Sequence, residues 1–257
     1  MTLPFYEPTP TDDPLRFRLE VTADALAGKS DRLFLMGGVS LASAICAMEQ
    51  AADRPLIWAA AQFLSGGGPN DVVDIDVELP VIGGKITQAR TTSRIGDRTV
   101  VTVTASLGGR DDRPTAVFLP MPDVPAPQDC DEKKWLMESG ENLHGRFERR
   151  SAYQSDSDGI ERLWFRPTQQ DPITPGLLAI VADFLAGGHS LAAGSSSLDN
   201  TLRIHNIVQS EWILLDTQFS GFTSGAFHGH THLFSQDGML LATAGQTGML
   251  PKPGTHF

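Results

Sequence analysis

Two polar side chains stand in apolar surroundings where their chemistry could be used. Asp183 interrupts the apolar stretch LLAIVADFLA, where a charge is costly unless hydrogen bonds compensate it. Gln246 shares an inward-looking strand face with Leu240, Ala242 and Ala244, so its amide also needs partners. A carboxylate can accept a proton from water and an amide can orient that water, which is hydrolytic chemistry. Each residue could instead make a structural hydrogen bond.

Ser190 is a second candidate nucleophile. The sequence Gly188-His189-Ser190-Leu191-Ala192 resembles the nucleophile elbow of serine hydrolases, with Ala in place of the final Gly. That elbow requires a strand before the serine and a helix after it, within a series of parallel strand–helix units. Here the pattern predicts a helix before the serine and a strand after it. We therefore interpret this segment as a loop.

Three histidines alternate along one predicted strand and therefore share a face: His228, His230 and His232. Three imidazoles on one face could bind zinc. The corresponding positions of a similar segment 140 residues earlier are an ordinary polar set: Gln88, Arg90 and Thr92. We therefore expect a solvated or inter-subunit face, with neither metal nor cofactor.

Composition limits the partners and the compartment. A formal net charge of −11 opposes long-range attraction to nucleic acid or an anionic membrane surface, so we expect neither as a partner. The chain has two cysteines, no apolar run approaching the ~20 residues of a membrane span, and no signal-peptide pattern at its start, so we expect a soluble cytoplasmic protein. A phosphorylated ligand would need a local cationic cluster. One candidate set, which could equally be a solvated strand edge, is Lys85, Arg90, Arg94 and Arg98.

An internal repeat determines the predicted architecture. In DVVDIDVELP (71–80), apolar residues alternate with acidic ones, the period of a strand with one buried face. Two further strand patterns follow, in GKITQARTTSR and RTVVTVTASLGG. The same order recurs 140 positions later in EWILLDTQFSG, GAFHGHTHLFS and MLLATAGQTGML, where Asp76 aligns with Asp216. The pattern predicts a duplicated antiparallel meander.

A helix pattern precedes each meander. In the first copy, Gly37-Gly38 opens VSLASAICAMEQAA. In the second copy, Thr174 is a natural N-cap, Pro175 suits the first helical position, and the helix is predicted to run through LLAIVADFLA to Gly187-Gly188. Further strands are predicted at 55–64 and 196–205, and in FERRSAY and RLWFRP before the second helix.

These elements predict an α+β fold of the double hotdog type, with two tandem units that each wrap an antiparallel sheet around a long helix. Residues 1–120 form the N-terminal unit and residues 121–257 the C-terminal unit, which carries the candidate catalytic residues. A Pro- and Asp-rich linker, around 109–133, separates the copies.

Ordered blocks across residues 30–250 resemble the type II acyl-CoA thioesterase family. The second copy supplies LLAIVADFLA, SSSLDNTLRIHN, EWILLDTQFSG and DGMLLATAGQTGM, and the first supplies MGGVSLASAICA, PLIWAAAQFLSGGGPNDVVDIDVEL and TVVTVTASLG. The resemblance implies hydrolysis of a fatty acyl-CoA to the free acid and CoA, without a metal or cofactor. It also implies that Asp183, Ser197 and Gln246 hold and activate a water. By analogy with other hotdog enzymes, a backbone N–H around Gly37-Gly38 would bind the oxyanion.

The sequence departs from the family pattern at two positions near these residues. Thr247 follows the Gln where the family usually has Glu, and Asn200 follows the Asp of the SLD-type segment where the family usually has His. These departures bear on rate and substrate more than on fold.

The two copies are unequal in chemistry. By the same offset Gln246 corresponds to Ser106 and Ser197 to Ile57, so we expect one active site per chain. An alternative function is a non-catalytic hotdog protein that binds an acyl or aromatic ligand. Because fused hotdogs commonly pair through sheet edges, we also expect a homo-oligomer, a dimer or higher.

Overall fold

The structure, a computed structural model, describes residues 4–29, 31–110, 112–134, 142–169 and 171–252. Its two α-helices are α1 (Gly37–Ala52) and α2 (Pro175–Ala182). The strands in chain order are β1 (Thr9–Pro10), β2 (Arg16–Glu20), β3 (Leu26–Lys29), β4 (Arg32–Leu35), β5 (Leu56–Phe63), β6 (Val72–Ile82), β7 (Ile86–Ile95), β8 (Arg98–Gly108), β9 (Asp131–Glu132), β10 (Phe147–Ser155), β11 (Ile160–Pro167), β12 (Ser196–Ile204), β13 (Ile213–Thr223), β14 (Ala226–Ser235) and β15 (Leu240–Met249).

Within the described residues, thirteen of these strands form one antiparallel sheet, in the order β1-β2-β6-β7-β8-β5-β12-β15-β14-β13-β11-β10-β9. The centre of the sheet is the pairing of β5 with β12, where Ala61 lies opposite Asn200 and Ala60 opposite Thr201. On one side of this pair follow β8, β7 and β6, and on the other β15, β14 and β13. The strand order therefore mirrors itself about the centre.

The register repeats as well as the order. Asp76 of β6 lies opposite Thr92 of β7, and Asp216 of β13 lies opposite His232 of β14, so both partners shift by the same 140 positions. The predicted repeat is thus present in strand order and in cross-strand pairing.

Both helices lie against one face of the sheet and against each other, inside the main hydrophobic core. The side chains of Leu41, Ile45 and Met48 in α1 have no exposed surface, in keeping with their helical spacing. Thr174 caps α2 as predicted, because its side chain accepts a hydrogen bond from the Leu177 N–H at 3.1 Å, and Pro175 occupies the first helical position.

The second helix is shorter than predicted. The α-helical part ends at Ala182, and Asp183–Gly188 continue as a 3-10 helix. Tightening into 3-10 geometry is a common way for the last turn of a helix to end. The prediction of one regular helix through this segment was therefore wrong, and Asp183 stands at the junction of the two geometries.

The predicted linker carries little regular structure. Between 109 and 134 the described residues contain one 3-10 turn, Pro127–Asp129, and the two-residue strand β9. Among the helices in the described ranges, none combines the length and the apolar character needed to cross a membrane.

Candidate active site

Asp183 lies where the two helices meet. Its carboxylate Oδ2 accepts a hydrogen bond of 2.6 Å from the backbone N–H of Gly38, the second residue of α1. A Cβ on Gly38 would lie 2.7 Å from the Asp183 Cβ and 2.9 Å from the Ile180 Cα, so only glycine permits this approach. The position of the Asp183 carboxylate therefore depends on both halves of the chain. The start of α1 donates a hydrogen bond to it, and Asp183 itself directly follows α2.

The other carboxylate oxygen is bound by two side-chain amides. Asp183 Oδ1 accepts hydrogen bonds from Gln246 Nε2 at 2.6 Å and from Asn200 Nδ2 at 3.2 Å. All three side chains are buried, and Asn200 is 1% exposed. The predicted Asp183–Gln246 neighbourhood is thus present, and one carboxylate receives three donors in all.

Ser197 joins the same cluster through Gln246, whose Nε2 donates to Ser197 Oγ at 2.8 Å. A β-bulge between Ser197 and Asp199 shifts the pairing of β12 with β15. In a regular strand, residues 197 and 200 would point to opposite faces, whereas the extra bulge residue allows Ser197 and Asn200 to reach the same amide and carboxylate. The structure therefore brings together the three residues named from sequence, Asp183, Ser197 and Gln246.

Asn200 is a site residue that sequence reasoning noticed only as a departure from the family pattern. Its signal in the sequence was its position on β12, the strand that also carries Ser197. Its Oδ1 and the Gln246 Oε1 are buried and accept no hydrogen bond from a described residue. Both oxygens are therefore acceptors that a donor in the site could use.

Burial raises the pKa of the Asp183 carboxyl above its usual range, because desolvation penalises the charged form. The hydrogen bonds from Gly38, Asn200 and Gln246 act in the opposite direction but are the smaller effect. A carboxyl with a raised pKa is a better proton acceptor than an ordinary aspartate once it is ionised.

Asp183 and Ser197 line a cavity of about 790 Å³. Gly37, at the start of α1, also lines it, and no described residue accepts the Gly37 N–H. The Gly38 N–H is directed to Asp183, so of the two predicted oxyanion donors only Gly37 retains an unused N–H. The cavity has the size of a small-molecule site.

His144 also lines this cavity and was not predicted. It is the second residue of the short 3-10 segment Leu143–Arg146, and its ring lies 6.5 Å from that of Phe184, the neighbour of Asp183. Burial, with a smaller contribution from Arg149, lowers the pKa of His144 to about 4, so the ring is neutral at pH 7. Nothing in its local sequence distinguishes it from a structural histidine.

The cationic set proposed for phosphate does not converge on the cavity. Arg94 binds Asp76 at 2.7 Å, and Arg98 donates to the backbone oxygen of Gly66 and to the side-chain hydroxyl of Ser65 in the glycine loop. Lys85 and Arg90 are exposed and do not line the cavity. Of the two interpretations left open for these four residues, the structure favours the solvated strand edge, because none of them lines the cavity.

Ser190 does not have the surroundings of a nucleophile elbow. It follows a 3-10 segment instead of a strand, and its hydroxyl binds Asp156. The neighbouring His189 uses Nε2 toward the Asp156 carbonyl oxygen at 3.1 Å and Nδ1 as acceptor for the Leu191 N–H. The imidazole is therefore not placed to take a proton from Ser190.

The three histidines of β14 lie on a partly exposed face. His230 and His232 have ring centroids 5.2 Å apart, and His232 Nδ1 is 3.9 Å from Asp216 Oδ2. His228 contacts Thr247 instead, at 3.2 Å. No group of three or more metal-ligating side chains converges anywhere in the described ranges.

The chain matches known proteins over most of its length. The family model of the acyl-CoA thioesterase C-terminal domain matches residues 120–250, just over half of the chain. A protein of Novosphingobium aromaticivorans, provisionally named a thioesterase, is 31% identical, with 94% of this chain and 97% of that chain covered and a TM-score of 0.89. This antiparallel hotdog chain therefore belongs to the acyl-CoA thioesterase family.

More distant structures share the fold. The acyl-CoA thioesterase II TesB2 of Mycobacterium marinum is 17% identical over 98% of each chain, with a TM-score of 0.78. A protein of unknown function with a hotdog fold from Alicyclobacillus acidocaldarius is 19% identical over 98% of this chain and 100% of that one, with a TM-score of 0.81. A search of curated proteins finds no match.

Proposed function

We propose that this protein is an acyl-CoA thioesterase that hydrolyses an acyl-CoA to the free acid and CoA with Asp183 as general base. The observation that carries the proposal is a buried carboxylate of raised pKa, lining a cavity and bonded to Gln246, in a chain of this family. Structurally, we infer a double hotdog with units at 1–120 and 121–257. The mirrored strand order and the 140-residue register support that division.

Asp183 activates the attacking water. Its Oδ1 holds two donors and its Oδ2 one, and Oδ2 lies on the side of Gly37, toward the cavity. A water that donates one proton to Oδ2 has its second proton available for Gln246 Oε1, which accepts nothing from a described residue. Ser197, which receives a hydrogen bond from Gln246, keeps its own O–H to donate to the water oxygen.

The water oxygen then adds to the thioester carbonyl carbon while its proton passes to Asp183. The Gly37 N–H stabilises the oxyanion that forms, because it is an unused donor at the positive end of α1. The C–S bond breaks, the sulfur leaves as a thiolate, and the proton held on Asp183 passes to it. The products are the carboxylic acid and free CoA thiol, and Asp183 is ionised again.

Release of free thiol from acyl-CoAs of two to sixteen carbons tests the proposal. We expect turnover of at least one length, and a loss of about 10²-fold in kcat for Gln246→Ala, since the water loses an orienting partner. Ser190→Ala is the control and should keep full activity, because its hydroxyl is bound to Asp156.

Three outcomes would contradict the proposal and point elsewhere. Full activity of Gln246→Ala would show that the Gln246 amide does not orient the attacking water. Loss of activity in Ser190→Ala, with inactivation by a serine-directed phosphonate, would favour a serine hydrolase. Saturable thermal stabilisation by acyl ligands without turnover of any thioester would favour a non-catalytic binding protein.

A further inference from the structure

A small β-hairpin forms part of the rim of the cavity. Strands β3 and β4 pair as a separate two-stranded sheet, with Lys29 opposite Arg32 and Ala27 opposite Phe34. Gly28 has φ +107°, and a Cβ there would lie 2.4 Å from the Arg32 carbonyl oxygen. The hairpin therefore has a specified shape that needs glycine at this position.

Hydrogen bonds and chain connectivity fix the hairpin to the glycine loop and to the start of α1. The Leu35 N–H donates to the carbonyl oxygen of Gly67 at 2.9 Å, and Arg98 binds the neighbouring Gly66 O. Leu35 is followed by Met36, the N-cap of α1, so the hairpin leads directly into the helix that binds Asp183. The hairpin and the Asp183 site therefore belong to one continuous stretch of the cavity surface.

The hairpin side chains that line the same cavity as Asp183 and Ser197 include Lys29, Arg32 and Phe34, together with the carboxylate of Asp31. Phe34 is 47% exposed, although a ring of this size normally buries most of its surface. Lys29 and Arg32 are exposed cations in a chain whose net charge is −11. Two cations beside an exposed aromatic ring are thus concentrated at the opening of a cavity in an otherwise acidic protein.

We propose that the β3–β4 hairpin is the subsite for the adenine nucleotide part of coenzyme A, an inference that rests on the proposed thioesterase function. The diphosphate and ribose phosphate of CoA need local cations, which Lys29 and Arg32 supply. The adenine base needs a stacking surface, which the Phe34 ring supplies. The pantetheine arm then extends along the cavity to place the thioester beside Asp183 and Gly37.

An acyl group carried on an acidic carrier protein is disfavoured as the natural substrate. The chain itself is strongly acidic, so two like-charged proteins would repel each other at long range. A carrier protein also offers no free base for an exposed ring to stack on. The hairpin chemistry therefore favours the nucleotide.

Two substrates with the same acyl group separate this subsite from the hydrolytic site: acyl-CoA, and the acyl-pantetheine thioester that lacks the nucleotide. In the double variant Lys29→Ala/Arg32→Ala we expect KM for acyl-CoA to rise about tenfold at unchanged kcat, because charge-assisted contacts made equally in ground and transition states are lost. KM for acyl-pantetheine should not change. Asp31→Asn, which removes the carboxylate at the same rim, should lower KM for acyl-CoA.

The matched control is Lys85→Ala/Arg90→Ala, which removes the same charge from exposed positions outside the cavity and should leave both KM values unchanged.

Equal KM of the wild-type protein for the two substrates, or equal effects of the hairpin variant on both, would overturn the subsite while leaving the thioesterase function intact. If the wild-type protein hydrolyses neither substrate, the function fails and the subsite is tested by calorimetric titration with CoA. Weaker CoA binding in the hairpin variant than in the control supports the subsite, and no CoA binding by the wild-type protein overturns it.

Discussion

Asp183 combines two opposed influences on one carboxylate. Three hydrogen bonds favour its charged form, whereas burial disfavours that form more strongly, so the pKa of the carboxyl rises. The two amides that bind Oδ1 leave their own oxygens without described partners. In the proposed mechanism Asp183 must be ionised to accept a proton, and it lies where ionisation is costly.

The pH dependence of kcat/KM should report this carboxyl. We expect an acid limb with an apparent pKa above the ~3.9 of an ordinary aspartate, because protonated Asp183 cannot accept a proton. Asn200→Ala removes a donor to the charged form and should move the limb to higher pH. His144→Gln is the comparison, since a limb near pH 4 that disappears in this variant would assign the titration to His144 instead.

The same shift has a consequence for stability. Because the folded-state pKa of Asp183 lies above its unfolded value, the folded protein binds more protons than the unfolded protein at any pH between the two values. The contribution of Asp183 to the free energy of unfolding therefore falls as pH rises through that interval. Removing the charge should therefore not destabilise the protein at neutral pH.

At the scale of elements, the contact of α1 with the end of α2 positions the carboxylate. Periodicity predicted both helices and the ten main strands from 55 onward, because apolar alternation and helical spacing are local signals. The 3-10 ending at Asp183–Gly188 and the bulge at Ser197 were not predicted, because both arise from contacts with β15 and α1 that no local pattern records. Among the short strands, β2 (RFRLE) does alternate polar and apolar residues and could have been predicted, whereas β1, β3, β4 and β9 have no alternation long enough to indicate a strand.

Gly38→Ala tests the helix contact. An Ala at an ordinary helical position would stabilise by about 1 kcal/mol relative to Gly. Here the new Cβ would meet backbone and Cβ atoms that cannot yield, so we expect a loss of about 1–3 kcal/mol in urea unfolding together with reduced kcat. Gly84→Ala, where a Cβ has open space, is the control, and a Gly38→Ala protein as stable and active as this control would remove the contact from the account.

At the scale of the molecule, the two copies of the repeat carry different polar side chains. Sequence predicted this asymmetry from Ser106 and Ile57, which stand where the second copy has Gln246 and Ser197. The N-terminus of α2 also differs from that of α1. Gly176, the second residue of α2, faces the ring of Tyr6 and the sulfur of Cys46, whereas Gly38, the second residue of α1, faces the Cβ of Asp183. The buried Tyr6 fills that second place and binds Thr174 through its hydroxyl at 2.9 Å.

We therefore predict one substrate site per chain. Calorimetric titration with a non-hydrolysable acyl-CoA analogue should give a stoichiometry of one ligand per chain whatever the oligomeric state. A value of two would mean that the first copy also forms a site. The expected homo-oligomer stays a prediction, which light scattering on the same samples would measure.

The proposed role of Asp183 is tested by kcat/KM of Asp183→Asn, measured beside the wild-type protein on one good acyl-CoA substrate. We expect a loss of at least about 10³-fold, since the general base is removed, with a melting temperature at or above that of the wild-type protein. The variant should fold because rotation of the Gln246 and Asn200 amides lets their unused oxygens accept from the new Asn NH₂ group. An Asp183→Asn protein that hydrolyses the thioester at the wild-type rate would contradict the account.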